Sequence, residues 1–377
     1  MDSDDLFVDP DIRRASTLAG RVYRDPEIYH LQRQRVFARA WHLVGDAHQL
    51  KAPGHVIPTT LLPGCLDEPI VLSRDQEGTF HCFSNVCTHR AALVVEGEGH
   101  CASLRCRYHG RRFELDGRFR SMPEFDDVEG FPSEADDLPK LATAQWGPFL
   151  FASLDPAMPF EEWIGPVEER MGGWYPLGGL TFDPDTAHDY LIPANWALYC
   201  DNYLEEFHIP YVHGQSLTTL DYDAYRTEVF QYANLQFGVG SAGERTFQLP
   251  EGHPDQDERM VAYYFWLFPN LTLNFYPWGI SVNVIQPLSH ERTRVSFLPY
   301  VHHPELRGEG AGGDLHRVEM EDEEVVESVQ RGVQSRLYHR GRYSPRREVG
   351  VHHFHRLLTR FMGDGSDGRM AGEPDRS

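Results

Sequence analysis

The apolar positions change their rhythm several times along the chain. Over residues 25–41 they fall at helical spacing, with Ile28, Leu31, Val36 and Phe37 among them, and predict a helix. Over about residues 44–154, short apolar or alternating runs are separated by Gly, Pro and Asp. Val56-Ile57-Pro58, Pro69-Ile70-Val71-Leu72 and Gly147-Pro148-Phe149-Leu150-Phe151 are examples, and the texture is that of a small all-β domain. Residues 156–179 read as a connector with some helical character. A helical stretch over about 195–207 precedes a strand-rich region over about 222–300. The clearest strands there are the run from Val261 through Phe268 and the run from Ile280 through Ile285. Residues 304–313 read as a loop. Residues 322–338 read as an amphipathic helix with Val325, Val326, Val329, Val333 and Leu337 on one stripe. Residues 363–377 are polar and Gly-rich and predict a disordered tail. No internal repeat is visible.

The 377 residues give room for two domains, each with its own core. No run approaches the roughly 18 consecutive apolar residues of a membrane span. The start, Met1-Asp2-Ser3-Asp4-Asp5, lacks the basic-then-apolar pattern of a signal peptide. A cytoplasmic protein without a membrane partner is expected. The formal net charge of −22 repels phosphate and argues against nucleic acid as a partner. Lys51 and Lys140 are the only lysines. The acid excess fits a soluble acidic enzyme from a GC-rich genome better than an adaptation to a salt-rich cytoplasm, the other reading it allows.

The chemistry begins with cysteine. Six are present: Cys65, Cys82, Cys87, Cys101, Cys106 and Cys200. In a cytosolic chain of this length, clustered cysteines point to metal rather than disulfides. Cys87-Thr88-His89 is followed after 16 residues by Cys106-Arg107-Tyr108-His109. Two short claws, each with one thiolate and one imidazole, suit a [2Fe–2S] cluster with two sulfurs on one iron and two nitrogens on the other. A Cys2His2 zinc site is the competing reading, but its claws carry one residue type each. Gly110 follows the second claw, where a tight turn needs unusual backbone angles. Cys82 and Cys101 lie outside both claws and read as packing thiols.

A second constellation runs Asp201-Asn202-Tyr203-Leu204-Glu205-Glu206-Phe207-His208-Ile209-Pro210-Tyr211-Val212-His213. At about 100° per residue, His208 and His213 are not on one face of a regular helix. Pro210 should break the helix, leaving His208 to close it and His213 to fold back from the loop beyond. Glu205 lies three residues before His208, on the same helical face. Two histidines with one carboxylate make the facial triad of non-haem Fe(II) oxygenases. Chemically, Asp322, Glu321, Glu323 or Glu324 can supply that carboxylate. Taken alone, the acids near 322 are a solvated helix start that complements the helix dipole, and a lone His pair is more often packing.

Together, in this order, the two motifs resemble the Rieske non-haem iron oxygenase α-subunit family over roughly residues 20–362. Within it, they are similar to the choline monooxygenase-like branch acting on quaternary ammonium compounds. The matching stretches are Cys200-Asp201-Asn202-Tyr203-Leu204, Glu321-Asp322, Val329-Gln330-Arg331-Gly332, Gly341-Arg342-Tyr343-Ser344-Pro345 and His352-His353-Phe354-His355. The last three are family texture without a derivable role. The resemblance implies an α+β fold. Residues 1–43 would be a helical segment packing on the catalytic domain, 44–155 a Rieske β-sandwich-like domain, and 156–362 a helix-grip (START-like) domain of curved antiparallel sheet. It implies Cys87, His89, Cys106 and His109 as cluster ligands, and His208, His213 and Asp322 as ligands of mononuclear Fe(II). Glu205 would bridge His208 to His109 of a neighbouring subunit, and Asn202 would stand behind the iron. The implied assembly is a homotrimer that uses O2 on a small-molecule substrate. Its electrons would come from NAD(P)H through a separate ferredoxin or flavin reductase, in keeping with the lack of a Gly-rich dinucleotide fingerprint. Aromatic residues crowd residues 263–278, among them Tyr263, Tyr264, Trp266, Phe275, Tyr276 and Trp278. They read as sheet core or, in part, as a cage for a cationic head group. Ring hydroxylation of an arene is the second substrate reading. A Rieske electron carrier without oxygenase activity is a reading of another class, opposed by the long chain beyond the claws.

Overall fold

The computed structural model describes residues 3–214, 216–217, 219–308 and 310–363. The tail expected over 363–377 lies outside the described residues from 364 onward. The chain divides into two compact units, Ala38–Pro156 and Met1–Phe37 with Ala157–Ser377.

Among its described residues, the 38–156 unit is built from ten short strands. They are β1 (His42–Asp46), β2 (His55–Leu61), β3 (Glu68–Arg74), β4 (Phe80–Ser84), β5 (Gly99–His100), β6 (Leu104–Arg105), β7 (Arg112–Phe113), β8 (Phe119–Ser121), β9 (Ala142–Trp146) and β10 (Phe149–Ser153). They form three antiparallel sheets, ordered β1-β10-β9, β4-β3-β2-β5 and β6-β7-β8. Strand β3 explains its own sequence. Successive side chains point to opposite faces; Ile70 and Leu72 enter one core, and Val71 enters a second with Phe83, Leu104 and Phe113. A strand sandwiched between two cores reads as a continuous apolar run. Cys82 is buried in the first core, which pushes its thiol up to about 12, and Cys101 packs against the second. Both act as small hydrophobes, as expected.

The other unit opens with α1 (Pro26–Arg35), capped by the Asp25 side chain, which accepts from the Glu27 amide, with Pro26 in the first turn. It is shorter than the helix expected over 25–41. Helix α2 (Phe160–Met171) occupies the connector. Next come β11 (Thr181–Phe182), β12 (His188–Ile192), α3 (Trp196–Tyr203) and α4 (Ile209–Val212). Strands β13 (Arg226–Val229), β14 (Ala233–Val239), β15 (Met260–Leu267), β16 (Leu271–Tyr276), β17 (Gly279–Ser289) and β18 (Arg292–Val301) follow. Helices α5 (Leu315–Val333) and α6 (Val349–Met362) close the described chain. Short 3-10 turns interrupt the expected loop over 304–313. The strands make an eight-stranded antiparallel sheet, β11-β18-β17-β16-β15-β14-β13, with β12 also on β18.

Parity sorts the aromatic residues of this sheet. Tyr263 faces Phe237, and Phe265 faces Phe275, on the side where Tyr175 meets Phe275. The opposite face carries Trp266, which packs on Phe354 of α6 at 5.2 Å, and that phenyl also meets Trp196 of α3. Helices α3 and α5 are tied through the amide of Asn195, which donates to Gln330 at 2.8 Å, and the hydroxyl of Tyr199, which donates to Glu319 at 2.6 Å. Among the described residues, no helix is long and apolar enough to cross a membrane.

Candidate metal centres and the cavity between helix and sheet

The first claw lies in the turn after β4. Here the Cys87 amide donates to the Ala92 carbonyl, and the Ala91 amide donates to the Cys87 carbonyl, both at 2.9 Å. The second claw is the β6–β7 turn, closed by Gly110 N–H to the Cys106 carbonyl at 3.0 Å, with Gly110 at φ +78° as its position requires. The hydroxyl of Thr88 and the guanidinium of Arg111 both donate to the Asp136 carbonyl, at 2.8 and 3.0 Å. One main-chain oxygen therefore clamps both claws. Arg111 is itself buried, paired with the Asp136 carboxylate at 2.7 Å. The sequence reading missed this pair.

The two thiols are buried side by side, and burial with Cys106 alongside pushes the Cys87 thiol up. The imidazoles of His89 and His109 lie 4.7 Å apart between centroids, with His109 exposed. A buried sulfur pair and an outward imidazole pair fit the two ends of a [2Fe–2S] group. Single-ion zinc ligation needs all four donors around one point. Among the described residues, the one group of three or more donors within 4.8 Å of one another is His208, His213 and Asp322.

That second group is built differently from expectation. Pro210 inside a helix would remove a bond to the Glu206 carbonyl and clash with it. One continuous helix is therefore ruled out: α3 stops at Tyr203, and a separate short helix, α4, starts after His208 with Pro210 in its first turn, where proline is tolerated. His208 is the N-cap of α4 and His213 its C-cap. His208 thus opens a helix rather than closing one, and Glu205 lies in the break rather than on a helical face. Asp322 is also displaced from its expected position. Helix α5 begins at Leu315, capped by Asp314, so Asp322 sits about two turns in and not at the start.

The donors converge. Asp322 Oδ1 lies 3.0 Å from His213 Nε2 and 3.4 Å from His208 Nε2. The outer nitrogens are held by carboxylates: His208 Nδ1 by Glu205 at 2.7 Å, His213 Nδ1 by Glu321 at 2.8 Å. Such carboxylate partners fix ring orientation and raise ligand basicity. Of the four candidate acids, Asp322 faces both inner nitrogens, and Glu321 supports His213 with help from the Ser216 hydroxyl. Burial opposes charge on His208, but the Asp322 and Glu205 carboxylates outweigh it and push the imidazole up to about 10. Burial likewise opposes charge on Asp322, and the two imidazoles outweigh it and hold the carboxyl low. The site stabilises a positive charge at its centre, as a divalent metal would supply.

The three stretches without a derivable role lie behind this site. His355 Nε2 pairs with Asp201 at 2.7 Å, and the Tyr343 hydroxyl bonds His355 Nδ1 at 2.6 Å. Gln330 receives the start of α3, as described above. Arg347, over the ring of Tyr222, pairs with buried Glu206 at 3.2 Å and fixes the break beside Glu205.

In front of the triad is a cavity of about 110 Å³, walled by Asn202, Tyr203, Tyr225, Tyr264, Tyr276 and Phe297, with Glu319 on α5. Of the aromatic cluster weighed in the sequence, Tyr264 and Tyr276 reach this cavity.

Residues 40–132 match the Rieske [2Fe-2S] domain, and residues 180–364 match the ring hydroxylating alpha subunit catalytic domain. Choline monooxygenase of Arabidopsis thaliana is 32% identical over 371 residues, covering 92% of this chain and 83% of that protein. The chain belongs to the Rieske non-haem iron oxygenase α-subunit family. The carnitine monooxygenase oxygenase subunit of Escherichia coli K12 is 29% identical, covering 93% of this chain and 95% of that protein. The quaternary ammonium Rieske monooxygenase CntA, solved with gamma-butyrobetaine, matches with a TM-score of 0.72 at 25% identity, covering 96% of this chain and 99% of that one. A Rhodococcus naphthalene 1,2-dioxygenase shares the fold, with a TM-score of 0.70 at 19% identity and 92% and 94% coverage. The Rieske oxygenase is therefore an oxidoreductase, with a cluster domain and a catalytic domain. The electron-carrier reading falls with this membership.

Proposed function

We propose that this Rieske oxygenase hydroxylates or oxidatively demethylates a small quaternary ammonium compound. The observation that carries the reading is the His208–His213–Asp322 triad opening onto a small cavity faced by tyrosines. Tyrosine ring faces attract a trimethylammonium group. A cavity of roughly 150 Å³ holds a benzene-sized guest, so about 110 Å³ suits a compact head group better than a fused arene. The named activities of the choline and carnitine monooxygenases point the same way.

His208, His213 and Asp322 would hold Fe(II); Cys87 and Cys106 would hold one iron of the cluster, and His89 and His109 the other. The metals supply dioxygen activation and one-electron transfer when bound. The chain supplies the rest. Glu205 and Glu321 keep His208 and His213 in the tautomer with Nε2 inward. The tyrosine walls exclude water from the triad, and Asn202 shapes the wall nearest the break. Glu205 would also link His208 to the imidazole end of the cluster in a second copy. Exposed Phe207 and Tyr211 beside Glu205, and exposed Tyr108 beside His109, support docking between copies in a homotrimer. Inter-subunit electron transfer is named for a CntA structure. A separate NAD(P)H-dependent ferredoxin or flavin reductase would supply electrons. None of the six cysteines, the two proposed cluster ligands included, is in a disulfide, in keeping with a reducing cytoplasm.

The test is a substrate screen with a surrogate reductase, reading products by mass spectrometry across choline, betaines, carnitine and simple arenes. Oxidised or demethylated ammonium products are expected. Arene diols alone would overturn the reading.

A further inference from the structure

We propose that Glu319 is the countercharge that selects a cationic head group in this cavity, an inference that rests on the quaternary ammonium reading. Glu319 is 2% exposed and lines the cavity. Its Oε2 accepts the Tyr199 hydroxyl at 2.6 Å, whereas Oε1 is buried with no hydrogen-bond partner among the described residues. Gln236 lines the same cavity; its amide nitrogen donates to the Tyr203 carbonyl at 2.7 Å, and its Oε1 is buried with no partner among the described residues. Gln236 Oε1 is an acceptor, and Glu319 Oε1 is one whenever the carboxyl is ionised.

A neutral alkyl or aryl guest would leave these acceptors desolvated and unpaired, which is costly. A primary donor would satisfy one of them by a directed hydrogen bond. A quaternary ammonium group has no N–H, but it spreads positive charge over its methyl groups. It therefore meets a carboxylate oxygen, an amide oxygen and several tyrosine faces at once. Glu319 precedes Asp322 by three residues, about 4.5 Å along α5. The head group is thus drawn to the metal side of the cavity. Burial and the nearby Asp322 carboxylate push the Glu319 carboxyl well above the ordinary carboxylate range; a cation beside it favours the ionised form, and Glu319 acts through that charge on binding, with no covalent step assigned to it.

The experiment is equilibrium binding to the metal-loaded enzyme by calorimetry. The probes are choline, tetramethylammonium and 3,3-dimethylbutan-1-ol, the neutral carbon isostere of choline. Wild type is expected to favour choline over the isostere by roughly tenfold to a hundredfold, as a charged partner dictates. Glu319→Gln, which keeps the volume and an acceptor for Tyr199, is expected to lower that ratio by about tenfold with isostere affinity unchanged, the tyrosine faces keeping the remainder. Melting temperature and mononuclear iron content establish that the variant is folded. A Glu319→Gln enzyme that keeps the ratio overturns the inference and leaves the quaternary ammonium reading standing. A wild type that binds choline and isostere equally also overturns it, whether or not the variant folds. A wild type that binds neither cation overturns the inference and the reading together.

Discussion

His208 and His213 present the same arrangement: Nε2 turned toward Asp322 and Nδ1 held by a glutamate. The two acids adjacent in sequence, Glu321 and Asp322, therefore differ in role, and their substitutions separate. Asp322→Ala is expected to abolish mononuclear iron while leaving the absorbance of the cluster intact, read by metal analysis and visible spectroscopy. Glu321→Gln is expected to retain the iron with affinity weakened by about 10- to 100-fold, the usual cost of losing such a partner; competition with a chelator measures it. Equal iron loss in both variants would make Glu321 a ligand. Glu205→Gln is a separate case, because that carboxylate is proposed to face the cluster as well as His208. Both metals should stay, and cluster oxidation in a single turnover should slow. Unchanged kinetics would count against the bridge. The histidines and Glu205 stood out by spacing, but their roles came only with the resemblance that the two motifs together carry. The division between Glu321 and Asp322 was not legible, because it depends on where α5 begins, and Asp314 caps that helix well before the acidic run.

At the scale of elements, the break between α3 and α4 controls the site, and α6 supports it. Pro210 announced the break, but not that a new helix would start after His208. Helix α6 was legible in principle, since Val351, Phe354, Leu357, Leu358 and Phe361 follow helical spacing. Its histidines disguised it as polar texture, although His352, His353 and His355 are all buried. Gly350 in its first turn marks the closest approach. A Cβ there would stand 2.4 Å from the Leu204 carbonyl, one residue before Glu205. Main chain cannot give way as a flexible side chain would. Gly350→Ala is therefore expected to cost about 1–3 kcal/mol, as overpacking does, and to lower the melting temperature. It should also weaken mononuclear iron retention through the shifted break, with the cluster spectrum unchanged. A variant with unaltered melting and iron content would show that α6 moves freely against Leu204.

For the molecule as a whole, lowering the pH acts in two opposite directions. The net charge of −22 means that protonating carboxylates relieves self-repulsion as pH falls. His353 opposes that gain. It is buried against Asn234, whose side-chain oxygen lies 3.0 Å from His353 Nδ1. Burial pushes its imidazole down to about 3, with the positive charges of Arg356 and Arg360 and the neighbouring His352 adding to the effect. In the unfolded chain a histidine titrates near 6.5, so below that pH the unfolded state binds a proton that the native state refuses. Stability is complete above about pH 6.5 and falls by about 1.4 kcal/mol per unit down toward the folded value. His302 and His352 are shifted the same way by burial and add to the slope. The urea midpoint is therefore expected to drop between about pH 7 and about pH 5, even as net charge shrinks. His353→Gln, whose amide nitrogen can donate to Asn234 in place of the ring, should flatten that drop. A variant whose midpoint falls as steeply as the wild type would assign the acid sensitivity to the other buried histidines.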